Sequence, residues 1–547
     1  MFHSSLRMAL AALDRPASLD EWLSLVEQMH METGFWWLDS ALPNARLGRY
    51  SFAGTDPYLC LQARGREILL DVRRSVWQGL PHGVTRFESD PVEVARSLLP
   101  RTDSLIYSVR TQGSVEAEDV AAGKFDAPPL SASRPSNAPQ WHEAAGLAEG
   151  LELPFLGGAV GYFGYELASQ LEPRVEFANA DDIGLSDLSL SYVDQILAFD
   201  HESERLWIVG LGFGEHSQLA EVDARELSVM RSRVIVDELS IRVDEILVSR
   251  PRVGRSASIA ADPPKASANF GSTVDASGYA KAVDAILQEI AVGNVYQANF
   301  SQRLTVEADE DPWLIYQALR KHNPAPFGAY LSDGETAILS SSPERFLCLD
   351  GSRHVESRPI KGTKPRGCDT EEDVLRAAEL QSSKKDRAEN LMIVDLVRND
   401  LGRVCAPGSI SVPELMAIEA YAEVFQMVST VTGTLATGRD GFDLLRASFP
   451  PGSMTGAPKL AAIRLLEGLE AVRRGVYAGA LGYFDLRGGL DLSVVIRTIV
   501  WKDGQAHLHV GGAIVADSTP EGEYLESLDK AKAPLAALSD VLGSETP

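Results

Sequence analysis

The stretch DLSVVIRTIVWKDGQAHLHVGGAIVADSTPEGEYLESLDKA, residues 491–531, carries the two kinds of element from which the chain is built. Its first part, rich in Val, Ile and Thr, reads as strand, and Ser518-Thr519-Pro520 then signals the start of a helix. Glu523 and Glu526, three apart, project from one face of that helix's first turns. They serve either the helix dipole or a metal ion. Arg497 interrupts the apolar run VVIRTIV, where an unpaired guanidinium is costly; it calls for an anion, from a structural salt bridge or from a substrate. Gly511 and Gly512 permit close backbone approach and suit N–H groups aimed at a carboxylate. His507 and His509 alternate on one strand and read as a solvated face rather than a zinc pair.

Outward from there, the segment containing Asp386 and Glu389 reads as a helix running on from EDVLRAAELQ, with both acids ahead of the apolar run LMIVDLV. Two helices that each offer a carboxylate suit Mg2+, which takes few protein oxygens and keeps places for water and an anionic ligand. FPPGSMTGAPK, from Phe449, is a loop entering a further helix. It lacks the Gly-Lys-Ser/Thr ending of a P-loop, and no Gly-x-Gly-x-x-Gly opens a helix, so a nucleotide cofactor has little support. SGYAKAVDAILQEIAVGN has apolar residues at helical spacing and stops at Gly293-Asn294. Segments such as YLCLQARGREILLDV and LWIVGLGF make the N-terminal half sheet-rich. Stretches rich in Pro, Ser, Ala and Gly near 111–147 and 250–275 read as loops or linkers. The resulting division is an N-terminal region 1–250, a linker 251–274 and a C-terminal region 275–540, mixed α and β without a βαβ rhythm.

With 547 residues, 45% of them hydrophobic, the chain has ample material for a large core. A net charge of -26 disfavours nucleic acid. No cleavable leader and no apolar run of roughly 18 residues is present, so a cytoplasmic protein without membrane contact is expected. Cys60, Cys348, Cys368 and Cys405 are far apart and read as free thiols.

These pieces, with IAVGNVYQANFSQR (from Ile290), SSPERFL (from Ser341), RPIKGTKPRG (from Arg358), KKDRAENLMIVDLVRNDLGRV (from Lys384), PPGSMTGAPK (from Pro450) and RRGVYAGALGYF (from Arg473), follow an order that resembles the chorismate-utilising enzymes, the family of anthranilate, aminodeoxychorismate, isochorismate and salicylate synthases. The resemblance implies a single large α+β unit, two β-sheets packed as a sandwich with helices outside, in which the sequence halves interleave. Lys361 in PIKGT is similar to the aminodeoxychorismate synthase component I branch, where anthranilate synthases carry alanine. That branch aminates chorismate at ring carbon 4 on the way to p-aminobenzoate and folate.

By resemblance, Lys361 is a covalent nucleophile whose pKa the site must lower, and Glu344 is the general acid and base. Mg2+ on Glu389 and Glu526, with Glu523 nearby, holds the ring carboxylate. Tyr477, Arg497 and the N–H groups of Gly511, Gly512 and Ala513 hold the enolpyruvyl carboxylate, and Ser453 is a further polar contact. Three departures stand out: Gln426, whose amide cannot transfer a proton at neutral pH, where most of the family has histidine; Ala513 where a third glycine is usual; and Pro451, also in place of a glycine. No cysteine sits in a glutaminase setting, so a separate glutamine amidotransferase is the implied source of ammonia. The segment around Ser40 corresponds to the region where relatives bind tryptophan, and is only a partial match. Anthranilate synthesis is the alternative within the family, and Lys361 argues against it.

Overall fold

Alternation along the strands decides the layers. In Leu6–Pro16, Leu10 and Ala12 pack into one core cluster and Ala11 and Leu13 into another. Trp36 and Trp37, Ile338 and Leu339, Tyr162 and Phe163, and Tyr483 and Phe484 divide the same way. Successive strand residues point to opposite faces, so strands apolar on both faces require cover on both. The structure, a computed structural model, describes residues 6–42, 47–76, 80–100, 105–111, 141–144, 153–215, 221–249, 270–421 and 424–543. Within them lie one 14-stranded and one 12-stranded sheet, packed face to face. The outer face of the first is covered by Leu19–Met29, Glu221–Val248, Pro312–His322 and Pro520–Leu542. Pro91–Leu98, Lys384–Gly402 and Gly441–Ser448 cover the second. The arrangement is the expected α+β sandwich with helices outside.

Both sheets draw strands from both parts of the sequence: Trp36–Asp39 pairs with Phe327–Ser332, and Gly158–Phe163 with Ala480–Asp485. The linker 251–274 and the loop 111–147 fall largely outside the described residues. Among the described residues no helix is long and apolar enough to cross a membrane.

Three expectations are corrected. Arg497 is not inside one strand: Leu490–Val494 belongs to the second sheet and Thr498–Lys502 to the first, and the chain crosses between them at Val495–Arg497. Arg497 takes a φ of 51° there, a left-handed conformation that non-glycine residues rarely adopt. The same apolar pattern suits either sheet, so nothing local marks the crossing. The segment read as one helix is two, Thr370–Ser382 and Lys384–Gly402, because Ser383 ends the first and caps the second by accepting from the Asp386 N–H. Nor are His507 and His509 solvated: both are buried, His509 stacked on Tyr477 and His507 bonded to the Thr305 hydroxyl, since their strand is internal and covered on both faces.

Candidate active site

Lys361 owes its position to a break in strand pairing. Ile360–Pro365 pairs with Val424–Thr434, but the register shifts between Ile360 and Thr363, leaving Lys361-Gly362 as a bulge. Bulges re-aim a side chain. Gly362 is needed twice over, because its φ is 91° and a Cβ there would lie 2.9 Å from the Asp386 side chain. The bulge sends Lys361 Nζ to the carbonyl of Ser453, to which it donates at 3.1 Å. The residue keeps some surface along its stem, yet its ammonium is enclosed, and the enclosure governs its charge. Burial lowers the pKa and Lys530 adds to the effect, outweighing Glu389, Glu344 and Glu526. Among the described residues no ion pair within 4.0 Å holds Lys361 in the charged form.

Glu344 lies at the start of strand Arg345–Leu349, 4% exposed. Burial pushes its carboxyl up to about 7, against a hydrogen bond from the Ser453 side chain and the charge of Lys361. A carboxyl with that pKa exchanges its proton near neutrality. Its carbonyl accepts from the Val494 N–H at 3.0 Å, which ties it to the sheet crossing before Arg497. Ser453 thus touches both reactive groups from the short turn Gly452–Met454. Lys459 fixes that loop: its Nζ donates to Asp400 and to the carbonyls of Ser448 and Pro450 at 2.7, 2.7 and 2.9 Å. Sequence reasoning missed Lys459 and Asp400, because a lysine entering a helix looks like any surface lysine.

The helices Lys384–Gly402 and Pro520–Leu542 bring Glu389, Glu523 and Glu526 together around Lys385, whose Nζ is 3.9, 3.3 and 4.0 Å from them. Ser518 donates to Glu523 at 2.5 Å, and Lys530 bridges Glu526 and the Gly511 carbonyl, both at 2.9 Å. Burial raises the pKa of Glu389; at Glu526 it is outweighed by Lys530, Lys385 and Lys361, and that pKa is lowered. Among the described residues no group of three or more His, Cys, Asp or Glu is arranged to hold a metal unaided. One buried oxygen of Glu389 and one of Glu523 nonetheless lack hydrogen-bond partners. The glycine at 512 keeps space beside them, since a Cβ there would come within 3.0 Å of the orphaned Glu523 oxygen. Unsatisfied carboxylate oxygens, that of Glu523 beside Gly512, fit a hard cation such as Mg2+, whose shell water and a substrate oxygen would complete.

The end of the site around Arg497 is equally underpaired. Arg497 donates to Asn323 Oδ1 at 3.0 Å, meets no carboxylate within 4.0 Å among the described residues, and its pKa is pushed down by burial alone. Of the two sequence readings of this arginine, a structural salt bridge is therefore not formed. Tyr477 is buried, its ring 5.2 Å from His509 and its hydroxyl beside the Asn299 side chain. Gly511, Gly512 and Ala513 pair with Ser301, Phe300 and Asn299 on one side, while pairing with Thr498–Lys502 ends at Leu508. Beyond Leu508 the strand's second edge is therefore left without that partner. Gln426, opposite Thr363, is buried beside the Lys361 bulge with an unpartnered Oε1.

Ser40 lies elsewhere. Its hydroxyl donates to the Tyr50 carbonyl at 2.8 Å, and it lines a cavity of about 720 Å3 with Asp39, Phe327, Arg345 and Tyr483. The void beside Glu344 and Ser453 is far smaller, about 10 Å3, so the larger of the two cavities is not where Lys361 and Glu344 meet.

The sequence model of the chorismate binding enzyme family matches residues 101–536. An aminodeoxychorismate synthase from Streptomyces griseus is 40% identical over 411 residues, 74% of this chain; the chain spans 54% of that relative's length. Anthranilate synthase component 1 of Acetivibrio thermocellus is 32% identical over 527 residues, 96% of this chain and 94% of the relative. The crystal structure of anthranilate synthase component I from Streptococcus pneumoniae TIGR4 aligns with a TM-score of 0.68 at 25% identity, covering 90% of this chain and 93% of the other. Family match, near full-length relative and shared fold agree, and the chain belongs to the chorismate binding enzyme family.

Proposed function

We propose that the protein is an aminodeoxychorismate synthase component I, converting chorismate and ammonia to 4-amino-4-deoxychorismate for p-aminobenzoate and folate synthesis. The observation that carries the reading is Lys361: a bulge aims its amine inward, burial favours the neutral form, and a carboxyl with a pKa near 7 stands within the same hydrogen-bonded turn. The neutral amine attacks ring carbon 2, both double bonds of the ring diene shift, and the 4-hydroxyl leaves as water with the proton of Glu344. Ammonia then adds at carbon 4 and gives up a proton to Glu344, both double bonds return, and Lys361 is expelled. The sum is exchange of hydroxyl for amine with the enolpyruvyl group retained.

Arg497, Tyr477 and the 511–513 backbone bind the enolpyruvyl carboxylate, and the unpaired guanidinium supports this role. Glu389 and Glu526, with Glu523 beside them, hold Mg2+, which when bound neutralises the ring carboxylate and orients the ring. Ser453 orients Lys361 and Glu344, and Gln426 offers a hydrogen bond without proton transfer. A glutamine amidotransferase supplies the ammonia, in keeping with the component 1 naming of a relative. Tryptophan binding near Ser40 belongs to the same reading, as a ligand away from the reacting groups. The competing activity, anthranilate synthesis, draws support from the relative that aligns with 96% of the chain.

Purified protein with chorismate, Mg2+ and ammonium, analysed by mass spectrometry, separates the two. An aminated product retaining the enolpyruvyl group, falling by about 10^3-fold or more in Lys361→Ala, is expected. Anthranilate with pyruvate from the unmutated protein would sink the proposal.

A further inference from the structure

Arg474 has no role in the scheme above, yet its buried side chain, 3% exposed, reaches both the 452–454 turn and the strand opposite Gly511–Ala513. Nη1 donates to the Met454 carbonyl at 2.8 Å, one residue beyond Ser453, which holds Lys361 and Glu344. Nη2 donates at 2.6 Å to the carbonyl of Asn299, which lies opposite Ala513 and whose side chain stands beside Tyr477. Glu470 takes Nε at 2.8 Å and Nη2 at 2.7 Å. The Oε1 of Glu470 that accepts from Nη2 also accepts from the N–H and hydroxyl of Ser301, opposite Gly511. The guanidinium lies 4.5 Å from the Tyr165 ring and 5.9 Å from that of Tyr477.

A planar fork with five donors spans these partners; an ammonium, with three donors on one atom, does not. We propose that Arg474 is a positioning residue that sets the separation between the two ends of the site. Through Met454 it holds the turn that orients Lys361 and Glu344; through Asn299 and Tyr477 it holds the end that binds the enolpyruvyl carboxylate. It touches no reacting atom. The inference rests on the proposed pairing of Lys361 with Glu344 and on neither the identity of the product nor the metal.

The test uses Arg474→Lys and the near-isosteric Glu470→Gln, with two readouts per folded molecule. One is the steady-state rate of chorismate loss. The other, independent of turnover, is the acetylation of Lys361 by acetic anhydride relative to Lys364, a partly exposed lysine on the same strand, read by peptide mass spectrometry. Both variants are expected to lower kcat by about 10- to 100-fold with KM within about threefold, and to change the Lys361 to Lys364 labelling ratio by about fivefold. An ion pair that only holds the fold lowers the thermal midpoint and moves neither readout. An unchanged kcat per folded molecule, or an unchanged labelling ratio, overturns the proposal. Should Arg474→Lys not fold, Glu470→Gln carries the same test. If the unmutated protein leaves chorismate intact, the proposed function falls, and the labelling ratio alone decides the role of Arg474.

Discussion

Around the Ser40 cavity, charge is matched with charge. Arg320 holds Asp39 at 2.6 Å, Arg345 holds Asp491 and Glu356 at 2.7 and 2.8 Å, Arg487 holds Asp485 at 2.6 Å, and Arg49 holds Asp200 at 2.9 Å. Around Lys361 the matching is incomplete. Lys385 and Lys530 pair with Glu389, Glu523 and Glu526, yet among the described residues Lys361 and Arg497 lack carboxylates within 4.0 Å, and single oxygens of Glu389, Glu523 and Gln426 are buried without hydrogen-bond partners. Burying a polar group without a partner costs free energy that the fold has no reason of its own to bear. The contrast separates structural charge from charge held ready for a ligand better than volume does, since the larger cavity is the satisfied one.

Breaking the matched region should cost most. Arg345→Ala leaves the half-buried Asp491 and Glu356 without their cation and is expected to destabilise the fold by about 3 kcal/mol, read as a lower denaturation midpoint. A change below about 1 kcal/mol would show those pairs to be as dispensable as surface ones.

Glu344→Gln should do the reverse while removing activity. Folding lifts this carboxyl from 4.5 to about 7, so between those pH values the folded state keeps a proton that the unfolded chain has released. Its contribution to stability is whole below pH 4.5 and lost as the pH rises through 7. At pH 8 the glutamine variant escapes that loss and is expected to gain up to about 3 kcal/mol, with no gain at pH 4. Its kcat should fall by about 10^2- to 10^4-fold. Loss of stability at pH 8 would mean that the carboxylate is stabilised in place.

Arg497→Gln tests the unmatched guanidinium directly. With no carboxylate to orphan, the midpoint should stay level or rise, while kcat/KM for chorismate falls by about 1.5–3 kcal/mol, mostly in KM. The smallest expected effect is at Gly512, whose added Cβ would crowd the flexible end of Glu523. Gly512→Ala should raise the Mg2+ needed for half-maximal activity a few-fold, about 1 kcal/mol or less. An unchanged Mg2+ requirement would detach Glu523 from the cation.

Much of this site is legible before folding. Glu523 and Glu526 share a helix face because 3.6 residues make a turn, and Thr519-Pro520 begins that helix as its residue types require, with the Thr519 hydroxyl accepting from Gly522. The glycines at 362, 511 and 512 announce close approach or a turned backbone, and each meets one. What was not legible is pairing. Whether Arg497 faces a carboxylate depends on a crossing between two sheets, and the same letters in VVIRTIV would serve a single continuous strand. His507 and His509 read as solvated because alternation states which residues share a face but not whether that face is covered. Arg474 and Glu470 are ordinary charged residues in sequence; only the meeting of four separate segments makes them a hub.

The sequence by itself determined the elements, the family resemblance and the residue types gathered at the site, because periodicity, capping and turn chemistry act over a few neighbours. Only the tertiary structure decided which charges are matched and which stand alone. That depends on long-range contacts between sheets, and the low dielectric those contacts create gives an unpaired group its altered proton affinity.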